Sequence, residues 1–248
     1  MRNIRLTIEY DGTAYHGWQS QTNATAVQDI VTTAVNRLTG EGCSLTGSSR
    51  TDTGVHALGQ VCNFFTESSI PSDKFAFALN TLLPEDVVIR KSEEVAAEFH
   101  SRFSTTGKKY RYLFYNSTFP SALLRHRAYH IFYPLDLHLM QQAVEHFVGT
   151  HDFVAFSSTG GSVRTTVRTI TQTFIKREDD LFEFCVTGNG FLYNMVRIIA
   201  GTLVEVGLGR LKPDAIPEII TGLDRRKAGR TAPAHGLYLV EVYYDERF

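Results

Sequence analysis

Ile4, Leu6, Ile8 and Tyr10 alternate with Arg5, Thr7 and Glu9. This is the period-two pattern of a strand with one buried face, and Asp11-Gly12 supplies a turn directly after it. The period then changes. Thr25 with Gln28 three residues on has the form of a capping box, and Val27, Ile30, Val31, Ala34, Val35 and Leu38 recur at helical spacing as far as Gly40. Strands are predicted at Gly59–Thr66 and Val87–Val95, with a helix from Ser72 to Leu83 between them, ended by Pro84. A second series follows Phe103: a strand at Lys108–Asn116, a helix at Leu137–Val148, strands at Val167–Lys176 and Leu181–Thr187, a long helix from Phe191 to Val206, and a closing strand at Tyr238–Tyr244. Each half mixes antiparallel-looking strands with two helices, which suits α+β layers better than the regular alternation of a doubly wound parallel sheet. The boundary is placed near Ser104–Gly107, giving domains at residues 1–104 and 105–248.

Length agrees with that division, since 248 residues is more than one typical domain of ~150 and fewer than two. With 43% hydrophobic residues, a chain of this size buries roughly 70% of its unfolded surface, so neither metals nor disulfides are needed to hold it together. The three cysteines, Cys43, Cys62 and Cys185, form no CxxC pair and are odd in number, which fits buried thiols in a reducing compartment. Glu9 and Asp11 interrupt any secretory reading of the N-terminal segment. The longest apolar stretch, Met195 to Val206, is broken by Arg197 and Glu205 and is too short for a bilayer. A soluble cytoplasmic protein without a membrane partner is expected.

Net charge is −1, so any attraction for a polyanion must be local. It is. Arg102 to Arg127 contains Arg102, Lys108, Lys109, Arg111, Arg125 and Arg127 without an acid, and Val163 to Arg177 adds Arg164, Arg168, Lys176 and Arg177, again unopposed. Glu67 to Glu98 is by contrast mostly acidic. One such cluster is an ordinary solvated face; two in the same half favour a polyanion surface.

Several common motifs fail. Gly188-Asn189-Gly190 lies between a strand and a helix, but Tyr193 occupies the third glycine position and no ribose-binding acid follows at the right distance. There is no GxxxxGK[ST], HExxH or GxSxG run, and no deaminase cysteine pair. The nine histidines show no metal-type spacing, so no metal site is expected.

Three segments ask for more than packing. Ser48-Ser49-Arg50-Thr51-Asp52-Thr53-Gly54-Val55-His56-Ala57 reads either as a turn or as a loop presenting Asp52 as a carboxylate nucleophile or base. In Lys108-Lys109-Tyr110-Arg111-Tyr112-Leu113-Phe114-Tyr115, alternation puts aromatics and cations on both faces, as a half-buried strand or a base-stacking surface beside phosphate-binding cations would. In the helix predicted over Phe191–Val206, Leu192, Met195, Val196, Ile199, Leu203 and Val206 form one apolar stripe. Arg197 falls nearly opposite, with Tyr193 and Gly201, as a fork donor on a rigid element.

Together these segments resemble the tRNA pseudouridine synthase A family of TruA-type enzymes along nearly the whole chain. Tyr10-Asp11-Gly12-Thr13 with Gly17-Trp18-Gln19 is similar to the family's N-terminal signature, and Arg50-Thr51-Asp52-Thr53-Gly54-Val55-His56-Ala57 to its catalytic loop. Lys109-Tyr110-Arg111-Tyr112 resembles the tyrosine-bearing strand, and Phe191-Leu192 with Met195-Val196-Arg197 and Gly201 the arginine-bearing helix. Ala232-Pro233 with Gly236-Leu237-Tyr238-Leu239 resembles the C-terminal signature. Ser49 stands where glycine is usual and Thr53 where alanine is usual; neither change removes a reacting group. The resemblance implies a pseudouridine synthase fold, with two ferredoxin-like α/β halves sharing a continuous, mainly antiparallel sheet flanked by helices, and an active-site cleft between them. It implies a cytoplasmic homodimeric isomerase that converts uridine to pseudouridine in the anticodon stem-loop of tRNA, at positions 38, 39 and 40, without a cofactor. It assigns Asp52 as nucleophile, Tyr110 to stack on the target base, Arg197 to hold Asp52, Arg50 to fill the space the flipped uridine leaves, and Leu237 to wall the pocket. RNA-backbone contacts are expected from Arg102, Lys108, Lys109, Arg111, Arg164 and Arg168. Two rivals remain at this point, a non-catalytic RNA-binding module and a small-molecule nucleosidase.

Overall fold

The computed structural model describes residues 1–160 and 163–245. The described residues divide into two compact units, Met1–Thr106 with residues 239–245, and Gly107–Tyr238. Both are α+β. In the first unit β1 (Arg2–Tyr10) is followed by α1 (Val27–Thr39), the short β2 (Thr46–Gly47), β3 (His56–Thr66), α2 (Phe75–Asn80) and β4 (Val87–Val95). β1 is central, antiparallel to β3 on one side and to β4 on the other, with Leu6 opposite Cys62 and Ser92. The alternation has its expected consequence: Ile4, Leu6 and Ile8 are fully buried. Phe64, opposite Ile4, meets Phe75 of α2 edge-on at a centroid distance of 5.7 Å.

α1 covers the predicted span, but Thr25 does not cap it. The cap residue is Ala26, whose side chain carries no acceptor. The carbonyls of Gly17 and Trp18 instead take the free N–H groups of Val27 and Gln28, at 3.1 and 3.0 Å, and Asp29 accepts from the Ala26 N–H at 3.3 Å. Gln28, read as a capping partner, ties loops together: it accepts from the Ser20 N–H and donates to the Leu45 carbonyl. The helix expected over Ser72–Leu83 shrinks to Phe75–Asn80 behind a single tight turn at Ser72–Lys74. The side chain of Asn80 bonds both backbone groups of Ile89, at 2.8 and 3.0 Å, a competition with the helix that short amides favour.

The second unit runs β5 (Gly107–Asn116), β6 (Tyr129–Ile131), α3 (Leu137–Glu145), β7 (Gly149–Asp152), β8 (Val167–Glu178), β9 (Leu181–Gly188), α4 (Met195–Gly207) and α5 (Ala215–Gly222). Its strands lie in the order β5-β9-β8-β7, each neighbouring pair antiparallel, and β6 joins the end of β5 in parallel. α3 packs on β8 and α4, and α4 on β5. This unit has a third helix that the pattern reading lacked. Ile216, Ile219 and Ile220 carry α5 into the core, while Pro213 and Pro217 disguise it; Pro217 sits in the first turn, where a missing N–H costs nothing. The last strand, β10 (Leu237–Tyr243), begins here and from Leu239 belongs to the first unit, where the order is β4-β1-β3-β10. Among the described residues no helix is long and apolar enough to cross a membrane.

Candidate active site

Asp52 and Arg50 lie in the first unit, on the loop between β2 and β3. Arg50 is exposed and Asp52 half-buried. The loop is anything but loose. Gln60, wholly buried in β3, accepts from the Ser48 hydroxyl and donates to the Ser49 carbonyl, both at 2.8 Å. The Thr51 carbonyl accepts from the Trp18 N–H at 3.3 Å, and the Thr51 hydroxyl pairs with the buried Tyr10 hydroxyl at 2.8 Å. Beyond Asp52, its carbonyl accepts from the Val55 N–H at 3.1 Å, and the Gly54 N–H reaches the Tyr15 carbonyl at 3.2 Å. His56 is buried with Nδ1 3.0 Å from the Gly12 N–H and 3.1 Å from Asp11 Oδ1.

The N-terminal signature therefore has a physical reason: its residues brace the Asp52 loop. A register shift between Ile8 and Tyr10 in the β1–β3 pairing marks where β1 meets that loop, a device that re-aims side chains. Tyr15 is locked in turn, since its hydroxyl donates to Asp86 at 2.6 Å; burial, with that carboxylate, pushes the phenol's pKa far up. Gly17 is where the brace is tightest. Its φ of +87° is one that glycine adopts freely, and a Cβ there would overlap the Thr51 carbonyl oxygen.

Tyr110, Arg197 and Leu237 lie in the second unit. Alternation along β5 places Tyr110, Tyr112 and Phe114 on its buried face. The Tyr110 ring meets Phe191 edge-on at 5.1 Å, so the aromatic before α4 fixes its plane. The Tyr112 hydroxyl donates to the Pro233 carbonyl at 2.7 Å; burial raises its pKa, with Arg197 pulling weakly the other way. Leu237, the first residue of β10, is buried.

Arg197 differs from its expected setting. α4 starts at Met195, not Phe191, because Asn194 adopts a left-handed conformation at φ +61°, which a short amide tolerates. The helix is also buried nearly all round, Ile198, Ala200, Gly201 and Thr202 included, so the face carrying Arg197 is no solvent face. The segment Gly229–Ala232 covers it. Gly201 approaches Arg230 so closely that a Cβ would overlap its carbonyl oxygen, and the Gly229 N–H donates to the Thr202 hydroxyl at 2.9 Å. Arg197 is thereby oriented: Nε donates to the Ala232 carbonyl and Nη1 to Asn194 Oδ1, both at 2.8 Å, and the Arg197 carbonyl accepts from the Ala232 N–H at 3.0 Å. Asn194 and Gln60 escaped the sequence reading; an Asn just ahead of a helix and a Gln inside an apolar strand were the available signals.

The basic residues differ among themselves. Arg102 and Arg164 are exposed, and Lys108 and Lys109 are half-exposed on β5. Arg111 lies over the Tyr238 ring at 4.6 Å, its Nε buried without a hydrogen-bond partner among the described residues. Arg168 Nη1 donates to the Thr165 and Val167 carbonyls, and partial burial lowers its pKa.

Comparison with known proteins identifies the family. A family model described as tRNA pseudouridine synthase matches residues 6–104 and 143–245. The chain is 61% identical over 244 residues to tRNA pseudouridine synthase A of Acetivibrio thermocellus, covering 98% of this chain and 100% of that protein. The corresponding protein of Ruminiclostridium cellulolyticum is 59% identical over 246 residues and that of Caldicellulosiruptor saccharolyticus 52% over 244, with 98% of this chain and 100% of each relative covered. With its N-terminal brace, Asp52 loop, β5 tyrosine and α4 arginine all inside the matched or aligned length, the chain belongs to the tRNA pseudouridine synthase family.

Proposed function

We propose that this protein isomerises uridine to pseudouridine at positions 38, 39 and 40 in the anticodon stem-loop of tRNA, with Asp52 as the nucleophile. The observation that carries this is Asp52 itself: a half-buried carboxylate on a loop in which Ser48, Ser49, Thr51 and Gly54 are held by backbone or buried side-chain bonds. The reaction breaks the N1–C1′ bond, turns the uracil over and joins C5 to C1′; C5 loses a proton to solvent, N1 gains one, and the bond that Asp52 forms as nucleophile breaks again before release. No water is consumed, so the second carboxylate that a glycoside hydrolase uses to activate water has no counterpart here. A stem uridine must first be extruded, at a cost of a few kcal/mol that stacking and phosphate contacts offset. Tyr110 supplies a rigid ring for the flipped base, Leu237 an apolar wall, Arg50 a side chain for the vacated stack, and Arg197 a charge-assisted partner that orients Asp52. The Asp52 loop comes from the first domain, and the tyrosine strand and arginine helix from the second. The working unit is a cytoplasmic homodimer that cradles one tRNA across both subunits.

The direct test is tritium release from an unmodified tRNA transcript labelled at uracil C5, because isomerisation leaves mass unchanged. Release is expected; tight binding without release would make the protein a passive RNA binder.

Tyr110→Ala is expected to lower kcat/KM by roughly a hundredfold, the loss of a stacked base and its orientation. Tyr110→Phe keeps the ring, so KM stays within about twofold while kcat falls if the hydroxyl takes the C5 proton; normal turnover by the alanine variant would remove Tyr110 from the site.

Binding is expected to weaken steeply with salt, and Arg164→Ala to reduce the slope of log K against log salt by about one unit. Arg168→Ala is expected to change it less, since that guanidinium already bonds two carbonyls. A flat salt response would exclude the basic stretches as the tRNA surface.

A further inference from the structure

The second unit holds a surface cavity of about 320 Å³, near the lower end of the volumes that hold small ligands. Tyr115 of β5, Tyr129 and His130 of β6, Arg125 just ahead of β6, and Pro233 and His235 ahead of β10 line it. The parallel pairing of β6 with β5 builds the aromatic wall, setting Phe114 opposite Tyr129 and Tyr115 opposite His130. The Tyr115 and His130 rings lie side by side with centroids 6.0 Å apart. The His130 ring is anchored, its Nε2 2.8 Å from the Ser117 carbonyl. Exposed Arg125 spends Nη1 on the Ala122 carbonyl, which fixes the guanidinium and leaves its other donors for a ligand.

Charge narrows the occupant. No Asp or Glu occurs between Glu98 and Asp136, the stretch that supplies most of the lining, and among the described residues no carboxylate lines the cavity. Flat aromatic walls beside a fork donor, with no anion present, match a base and its phosphate. The cavity's Tyr115 and the Tyr110 proposed for the reacting uridine are five residues apart on β5, roughly 17 Å along the strand, although Pro233 in the lining accepts a bond from Tyr112 on the Tyr110 face.

We propose that this cavity is a second nucleotide subsite, which takes an unpaired base of the bound tRNA other than the uridine being isomerised, stacking it on the aromatic wall with its phosphate on Arg125. The proposal rests on tRNA being the substrate. A contact remote from the reacting bond is made equally in ground and transition states, so it contributes to KM and not to kcat.

The test compares wild type with Arg125→Ala, Tyr129→Ala and Tyr129→Phe, using one full-length unmodified tRNA transcript for both tritium release and filter binding. Tyr129→Ala is expected to raise KM and Kd about tenfold and Arg125→Ala about fivefold, with kcat within twofold of wild type and Tyr129→Phe restoring both constants. Arg125 is exposed, so its variant reads the subsite even if Tyr129→Ala disturbs β6. Unchanged Kd in both alanine variants overturns the subsite, as does a fall in kcat at constant KM. A shift in oligomeric state by light scattering also overturns it and assigns the cavity to a contact between copies. Wild type that binds the transcript but releases no tritium would overturn the isomerisation alone, and the comparison of Kd values would still decide the subsite.

Discussion

Asp52→Asn is expected to leave tRNA bound and stop its isomerisation. The amide has the shape of the carboxylate but neither its charge nor its nucleophilicity, and a covalent step that depends on it loses its reacting group. The loop itself should survive. Among its bonds are those of the Thr51 carbonyl and hydroxyl, the Asp52 carbonyl, Ser48 and Ser49, and these groups persist in the variant. The expected result is a fall in single-turnover rate of at least ~10⁴-fold, with the Kd for unmodified transcript within about threefold of wild type. Tritium release from uracil C5 reads the first and filter binding the second. A variant retaining more than about one hundredth of the wild-type rate would take the nucleophile's role away from Asp52, because removing a reacting group costs far more than that.

The candidate site was legible in the sequence as separate residues and not as a wired structure. Asp52 stands out because it lies in a polar run bounded by Gly47 and Gly54 ahead of an apolar strand, and Tyr110 because aromatics and cations share a strand. The bonds that fix them do not stand out, since they come from residues that periodicity files elsewhere. Tyr10 reads as one more buried position of β1, yet its hydroxyl holds Thr51; Gln60 reads as the polar exception in β3, yet it holds Ser48 and Ser49. The long strands were the easiest elements, β4 to the residue, because period two is strict where one face is buried; β2, β6 and β7, two to four residues each, are too short to show a period and were not predicted. Helix ends were harder. α1 is capped by the backbone of Gly17 and Trp18, a tertiary contact with no local signature, and α4 begins four residues late because a single left-handed Asn194 resets the chain. The one-sided stripe of α4 failed for the same kind of reason: the pattern identifies the face packed on the sheet, but cannot announce that a distant segment, Gly229–Ala232, will cover the other.

Gly17→Ala measures how far the N-terminal brace controls the reacting loop, and a large effect on both stability and rate is expected. Three structural elements meet at this residue. Its carbonyl caps the Val27 N–H of α1, its neighbour Trp18 donates to the Thr51 carbonyl, and its own backbone lies against that carbonyl with no room for a Cβ. The left-handed φ costs an alanine roughly 1–2 kcal/mol, and overlap with a main-chain oxygen that must then move adds roughly 1–3. A loss of about 3 kcal/mol lowers the melting temperature of a chain this long by roughly 6–12 °C. Gly40→Ala separates the two contributions, because Gly40 also has a left-handed φ, +74°, but open space around its Cβ position. That variant is expected to lose about 1 kcal/mol and keep its kcat. Gly17→Ala should instead lose kcat by tenfold or more at a temperature where it is fully folded, since the displaced Thr51 carries Asp52 with it, and a misplacement of about 1 Å costs on the order of a hundredfold. Equal kcat for the two variants would mean that the brace stabilises the fold without positioning the nucleophile.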